Sequence, residues 1–204
     1  MKAKKRRKVV IFIIIFFILL SICSVYSIYK LINRSGKELH PKTEIPPQNV
    51  TYYCQYDENW ADDNLGSSRF KMSDSGCLVS CIASALKMQG QGGKTPGELN
   101  KLFSDNSCYD SEGNMQWEQA EETLGVKVTK QNAAQISANS LDEFLKSGIY
   151  PIARVNLPYG VGHFVLITGS KNGEYLCMDP LSEKSQPTEL SYFGDRIFFV
   201  RYIK

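Results

Sequence analysis

Two cysteines, Cys77 and Cys81, stand four residues apart in the stretch SDSGCLVSCIASAL (73–86), at the front of a segment whose apolar pattern predicts a buried helix. The chain has two histidines. His40 lies in a proline-containing stretch, which leaves His163, in GVGHFVLITG, as the imidazole of the globular part. A cysteine at a helix start sits among unpaired N–H groups and the positive end of the helix dipole, both of which favour a thiolate. A thiolate there with a neutral histidine as base is the logic of nucleophilic acyl transfer. Asp179 follows in CMDP, at the end of the next predicted strand, where a carboxylate could orient the imidazole. The flank SDSG reads as a small polar loop that leaves the Cys77 end accessible, whereas Cys81 reads as a core or disulfide residue.

Other chemistries fit less well. Cys77, Cys81 and His163 are zinc-ligand types, but C-x3-C with one remote histidine lacks the second close pair that structural zinc sites use, so neither metal nor cofactor is expected. Five cysteines follow the N-terminal apolar run: Cys54, Cys77, Cys81, Cys108 and Cys177. In an oxidising space an odd number leaves one thiol free, and sequence does not choose among pairings of the others. A symmetric hairpin about Asn172-Gly173 sets Asp179 opposite Leu166, three residues from His163, or about 10 Å along a strand. A bulge or another register must close that gap, with Asn156 and Asp195 as alternative orienting groups. Trp60 and Trp117 read as core, with the Gly113–Trp117 loop at the border of a cleft.

The elements that must hold these residues divide into helices and then strands. The first helix is Cys77–Met88, and TPGELNKLF begins the second, with Thr95 as N-cap and Glu98 at the capping-box position. MQWEQAEETLG is a third helix closing at Gly125, VKVTK a strand, and Ser140 the expected cap of LDEFLKSG. YPIARVNL, HFVLITGS, EYLCMD and RIFFVRYI are strand-like, the middle two joined by the Asn172-Gly173 turn. Helices followed by an antiparallel sheet predict an α+β domain.

The N-terminus sets the compartment. Residues 1–8 are a basic flank containing Lys2, Lys4, Lys5, Arg6, Arg7 and Lys8, and 9–29 are almost wholly apolar. That run suffices to span a bilayer as an uncleaved signal anchor, with the basic side cytoplasmic and the rest outside. Residues 30–50 carry Pro41, Pro46 and Pro47 and read as an extended tether to a domain at 51–204. Eight of the 24 basic residues fall within 1–34, so the remainder holds 16 bases against 21 acids, a balance of −5. That excludes a nucleic-acid partner on electrostatic grounds.

The blocks YCQYDENW, SGCLVSCIASALKMQG, TPGELN, GNMQWEQA, GHFVLITG and CMDP, in this order over residues 52–204, resemble papain-like cysteine peptidase family thirty-nine. These are the double-glycine leader peptidases and their stand-alone relatives. The resemblance implies a papain-like fold in a bacterial cell envelope, Cys77 as nucleophile, His163 as general base and acid, Asp179 as orienting acid, and Gln55 as side-chain donor to the oxyanion. Two departures stand out. Transporter-fused relatives carry Gln six residues before the nucleophile, where this chain has Lys71, and many relatives read G-C-G-P-T where this chain has Gly76-Cys77-Leu78-Val79-Ser80. No ATP-binding cassette is present, so coupled leader export is not expected. The expected activity is hydrolysis of a peptide or protein substrate, with peptidoglycan stem peptides included. The alternatives are a cell-wall amidase or acyltransferase using the same dyad, and an inactive peptide-binding module.

Overall fold

The computed structural model describes the backbone of residues 2–204 and the side chains of residues 11–28 and 36–204; the basic side chains expected at 1–8 lie outside the latter. The chain divides after Gly36 into a helix and a compact unit, Lys37–Lys204. The helix, α1 (Lys2–Ser35), contains Ile11–Ile28, 18 residues of mean hydropathy 2.8. By length and composition it is a candidate membrane anchor or signal sequence.

The compact unit is α+β. After a short strand β1 (Lys37–Glu38), the helices α2 (Met72–Ser75), α3 (Cys77–Met88), α4 (Pro96–Asp105) and α5 (Trp117–Leu124) lead into β2 (Val128–Asn132) and α6 (Ala138–Lys146). The C-terminal part supplies β3 (Ile152–Asn156), β4 (Gly162–Lys171), β5 (Glu174–Met178), β6 (Thr188–Glu189), a 3-10 turn (Leu190–Phe193), β7 (Arg196–Ile197) and β8 (Phe199–Ile203). Six strands form one antiparallel sheet in the order β2-β8-β3-β4-β5-β6.

Alternation sorts the strand side chains between two cores. Ile152, Leu166, Met178 and Ile203 face α3, packing with Val79, Ile82, Ala83 and Leu86. Val155, Val165, Ile167, Tyr175, Val200 and Tyr202 face the opposite side, under Leu141 and Leu145 of α6. Because both faces are covered, β4 reads as a continuous apolar run rather than an alternating one. The helix α3 is buried over most of its circumference, and its Ala83, Ser84 and Ala85 permit close approach.

Local signals set most boundaries. Thr95 and Glu98 form the expected reciprocal cap of α4. For α6 the cap is Ser137, three residues before the expected Ser140. Ser137 Oγ accepts from Ser140 N–H, and Ser140 Oγ lies 3.1 Å from Ser137 N. Asn172 and Gly173 both adopt positive φ, 53° and 80°, as a tight two-residue hairpin requires.

Two expectations change. The SDSG flank is not a loop: Met72–Ser75 is a helical turn packed directly before α3. Gly76 joins the two, and a β-carbon there would lie 2.4 Å from the Met72 carbonyl oxygen. Gly76→Ala is therefore expected to shift the backbone beneath Cys77 and destabilise the domain by about 1–3 kcal/mol, read as a lowered urea midpoint at unchanged slope.

The expected tether of residues 30–50 is also revised, because from Lys37 onward the chain is a strap on the sheet. Lys37 and Glu38 pair with Ile197 and Arg196, and Leu39 is buried. The N–H groups of Lys42 and Thr43 donate to Asp142 Oδ2 at 2.9 and 3.0 Å. Ile45 and Ser170 exchange backbone hydrogen bonds of 3.2 and 2.7 Å. A prolyl stretch lacks periodicity yet keeps carbonyls and some N–H groups, and these find partners about a hundred or more residues away.

Candidate active site

Cys77 is the first residue of α3, so its N–H stands outside that helix's own hydrogen-bond ladder. In a continuous helix it would turn to the Ser73 carbonyl, but Gln55 Nε2 donates to that oxygen at 2.6 Å. Gln55 also donates its backbone N–H to the Pro180 carbonyl at 2.9 Å. One buried glutamine thus joins the turn before Cys77 to the turn after Asp179, which explains its 2% exposure in an otherwise polar segment. Its Oε1 is buried without a protein partner among the described residues.

His163 enters β4 beside Val155, and its Nε2 lies 2.7 Å from Asp179 Oδ1. Both side chains are buried. The register gap is partly closed by a bulge. Lys171, Ser170 and Gly169 pair with Glu174, Tyr175 and Leu176, whereas Ile167 and Leu166 pair with Cys177 and Met178. Thr168 is the extra residue, and its hydroxyl donates to the Leu176 carbonyl at 3.1 Å. The bulge moves Asp179 one position towards His163, and a diagonal cross-strand reach covers the rest. Asp179 Oδ1 also accepts the Leu181 N–H at 2.9 Å, which fixes the carboxylate. The alternative orienting residues are engaged elsewhere: Asn156 Oδ1 accepts from Arg154 Nη1 at 3.1 Å, and Asp195 groups with His40 and Glu174.

Electrostatics raises the basicity of His163. Burial pulls its pKa down, but hydrogen bonds and charges from Asp179 and Cys77 outweigh burial and push it up to about 9. Cys81 is fully buried one turn deeper, where desolvation first, then the nearby Cys77, drives its pKa well up. All six cysteines are free thiols.

A cleft of about 550 Å³ opens at Cys77, walled by Leu65, Phe70, Met115, Trp117, Phe164 and Phe199. Trp60 is a core residue, as expected, whereas Trp117, also expected in the core, is half-buried and lines the cleft because its ring lies beneath Arg201. The Gly113–Trp117 loop borders the cleft, and Arg201, which sequence reasoning passed over, forms part of its floor. Away from the cleft, ligand-type atoms of His40, Glu174 and Asp195 lie within 4.8 Å of one another and are the donors available to a cation there.

No protein-family model and no curated protein matches the chain. Among solved structures it is similar to a protein from Bacillus anthracis described as a C39-like peptidase. The two share 16% identity at a TM-score of 0.52, over 80% of this chain and 98% of that one. The likeness shows the fold, an α+β arrangement of helices on an antiparallel sheet.

Proposed function

We propose that the chain is a membrane-anchored, extracytoplasmic cysteine peptidase using Cys77, His163 and Asp179. The observation that carries this reading is the buried 2.7 Å His163–Asp179 pair, electrostatically coupled to a thiol at the open start of a helix. The apolar α1, with a basic N-terminal flank, supports the anchor, its cytoplasmic N-terminus and an outward domain.

In this mechanism the Cys77 thiolate attacks the carbonyl carbon of a peptide bond, forming a C–S bond and a tetrahedral oxyanion. The Cys77 N–H and the second hydrogen of Gln55 Nε2, whose first is held by Ser73, donate to that oxyanion. His163, held through Nε2 by Asp179, uses Nδ1 to deliver its proton to the leaving amine as the C–N bond breaks. It then removes a proton from water, which attacks the thioester, releases the acid and restores the thiolate. The substrate is a peptide or protein, with peptidoglycan stem peptides among those to be assayed.

The direct test alkylates the full chain in detergent micelles with iodoacetamide at pH 6 and maps the modified residue, beside hydrolysis of a fluorogenic peptide library. Cys77 should be labelled first, and Cys77→Ala should abolish turnover. Labelling of Cys54 with Cys77 untouched, or library cleavage equal in the two proteins, would sink the proposal.

A further inference from the structure

The sheet face that meets α3 carries an unneutralised row of cations leading to Cys77. Lys130 on β2 stands directly across from Arg201 on β8. Arg201 stands across from Ile152, and Arg154 follows two residues later on β3, so all three project from the same face. Like charges directly opposed across strands repel. Among the described residues no carboxylate lies within ion-pair distance of any of the three; Glu121, which pairs with Lys127, acts on Arg201 only from farther away. Arg201 instead stacks at 3.9 Å over the Trp117 ring, and Lys130 lies 4.4 Å from the centre of the Phe199 ring.

Arg154 is nearest the candidate nucleophile. Its Nη1 donates to the Val155 carbonyl and to Asn156 Oδ1. Its Nη2 lies against Gly162, where a β-carbon would come within 1.5 Å of it, immediately before His163. A side chain at 162 would displace the guanidinium. The half-buried guanidinium also feels the Cys77 charge. This array belongs to a chain whose residues after 34 carry five more acids than bases, so it is a local feature rather than general basicity. One acid, Glu112, borders the same cleft from the loop opposite.

Cations set on aromatic rings and outside any ion pair, with Arg154 and Arg201 half-buried and Lys130 exposed, are shaped for a ligand that brings carboxylates. We infer that the cleft selects acidic peptide segments, with Arg154 reading a carboxylate next to the scissile bond and Arg201 with Lys130 reading a second one farther along. This rests on the peptidase reading for the scissile bond and on the cation row for the selectivity. Two strand spacings and two residues separate Arg154 from Lys130, roughly 12 Å, which an extended peptide spans in about three to four residues. The preferred segment therefore carries Asp or Glu at two positions three or four apart.

The experiment uses the full-length chain in neutral detergent with pairs of fluorescein-labelled octapeptides, alike except for two Glu or two Gln three residues apart. Binding is read by anisotropy on Cys77→Ala, and turnover on the native chain. The Glu peptide should bind about 10-fold or more tightly per added carboxylate than its Gln partner, with the advantage shrinking as salt rises. Arg201→Glu should cut that preference at least about 10-fold and favour a peptide carrying Lys at the outer position. Equal binding of Glu and Gln peptides, or a preference unchanged in both Arg201→Glu and Lys130→Glu, overturns the inference. If the Glu peptide binds selectively but is not cleaved, selectivity stands and the peptidase reading fails. Cleavage of both peptides at equal kcat/KM spares that reading and removes this one.

Discussion

His163→Ala is expected to lower kcat/KM for any cleaved peptide by about 10⁴-fold, and to slow alkylation of Cys77 at pH 6 to the rate of an ordinary thiol. Hydrogen bonds and charges from Asp179 and Cys77 overcome the burial that opposes a charged imidazole, raising the His163 pKa from 6.5 to about 9. A raised histidine pKa stabilises the folded state fully below the unfolded value near 6.5, and that contribution is lost as pH rises through about 9. Reactivity should follow the same upper limb. Asp179→Asn keeps an acceptor for Nε2–H but removes the charge, so the alkaline limb should move to lower pH while labelling at pH 6 is retained better than in His163→Ala. Should His163→Ala label at the native rate across pH 5–9, Cys77 owes nothing to His163, and the dyad is wrong.

Removing residues 37–48 from the soluble part should lower its melting temperature by about 6–12 °C, the equivalent of about 3 kcal/mol for a domain of this size. The strap holds few apolar side chains, so burial of Leu39 is the smaller part of the effect. The larger part lies at Asp142, which is 3% exposed. Its Oδ2 takes both strap N–H groups and the Thr43 hydroxyl at 3.1 Å, while Oδ1 takes the Tyr175 hydroxyl at 2.7 Å. Without the strap a buried carboxylate loses three of its donors, and such a group costs more than an absent one. Asp142→Asn should recover part of the loss in the shortened fragment yet destabilise the longer one. Matching melting curves for fragments starting at 37 and at 49 would show the strap to be dispensable.

The α+β class and the helix that presents Cys77 are legible in the sequence because they depend on contiguous residues: apolar periodicity, the Thr95–Glu98 cap, the Asn172-Gly173 turn. Where two local signals compete, as with Ser137 and Ser140, the residue beside the apolar run looks like the cap, yet reciprocal bonding starts the helix one turn earlier. The strap is not legible, since its partners Asp142 and Ser170 are remote and its prolines resemble a linker. The bulge at Thr168 left one trace, a glycine inside an otherwise β-rich run, which often marks a bulge or a close backbone approach. Gly169 is both: a β-carbon there would sit 2.5 Å from the Ile45 carbonyl of the strap. Arg154 and Arg201 were missed because a cation on a strand ordinarily signals a solvent face, and only the three-dimensional register puts both on the face that meets α3, with Arg201 lining the cleft.

That register carries a design rule. The hairpin turn begins nine residues from His163 along β4, about 30 Å away, yet it is where the count begins. Between turn and imidazole the strand behaves as a measuring rod marked in whole residues, and the one-residue bulge is its only correction. Side chains along the rod can vary while His163 and Asp179 still meet. A residue added or removed between Gly162 and Asp179 cannot be absorbed in part: it moves the pair by a full strand step and turns one of the two side chains to the other face. Substitutions at Asn172-Gly173 that keep a two-residue turn leave the reading unchanged, whereas a three-residue turn forces the sheet to choose between its core and its imidazole–carboxylate pair.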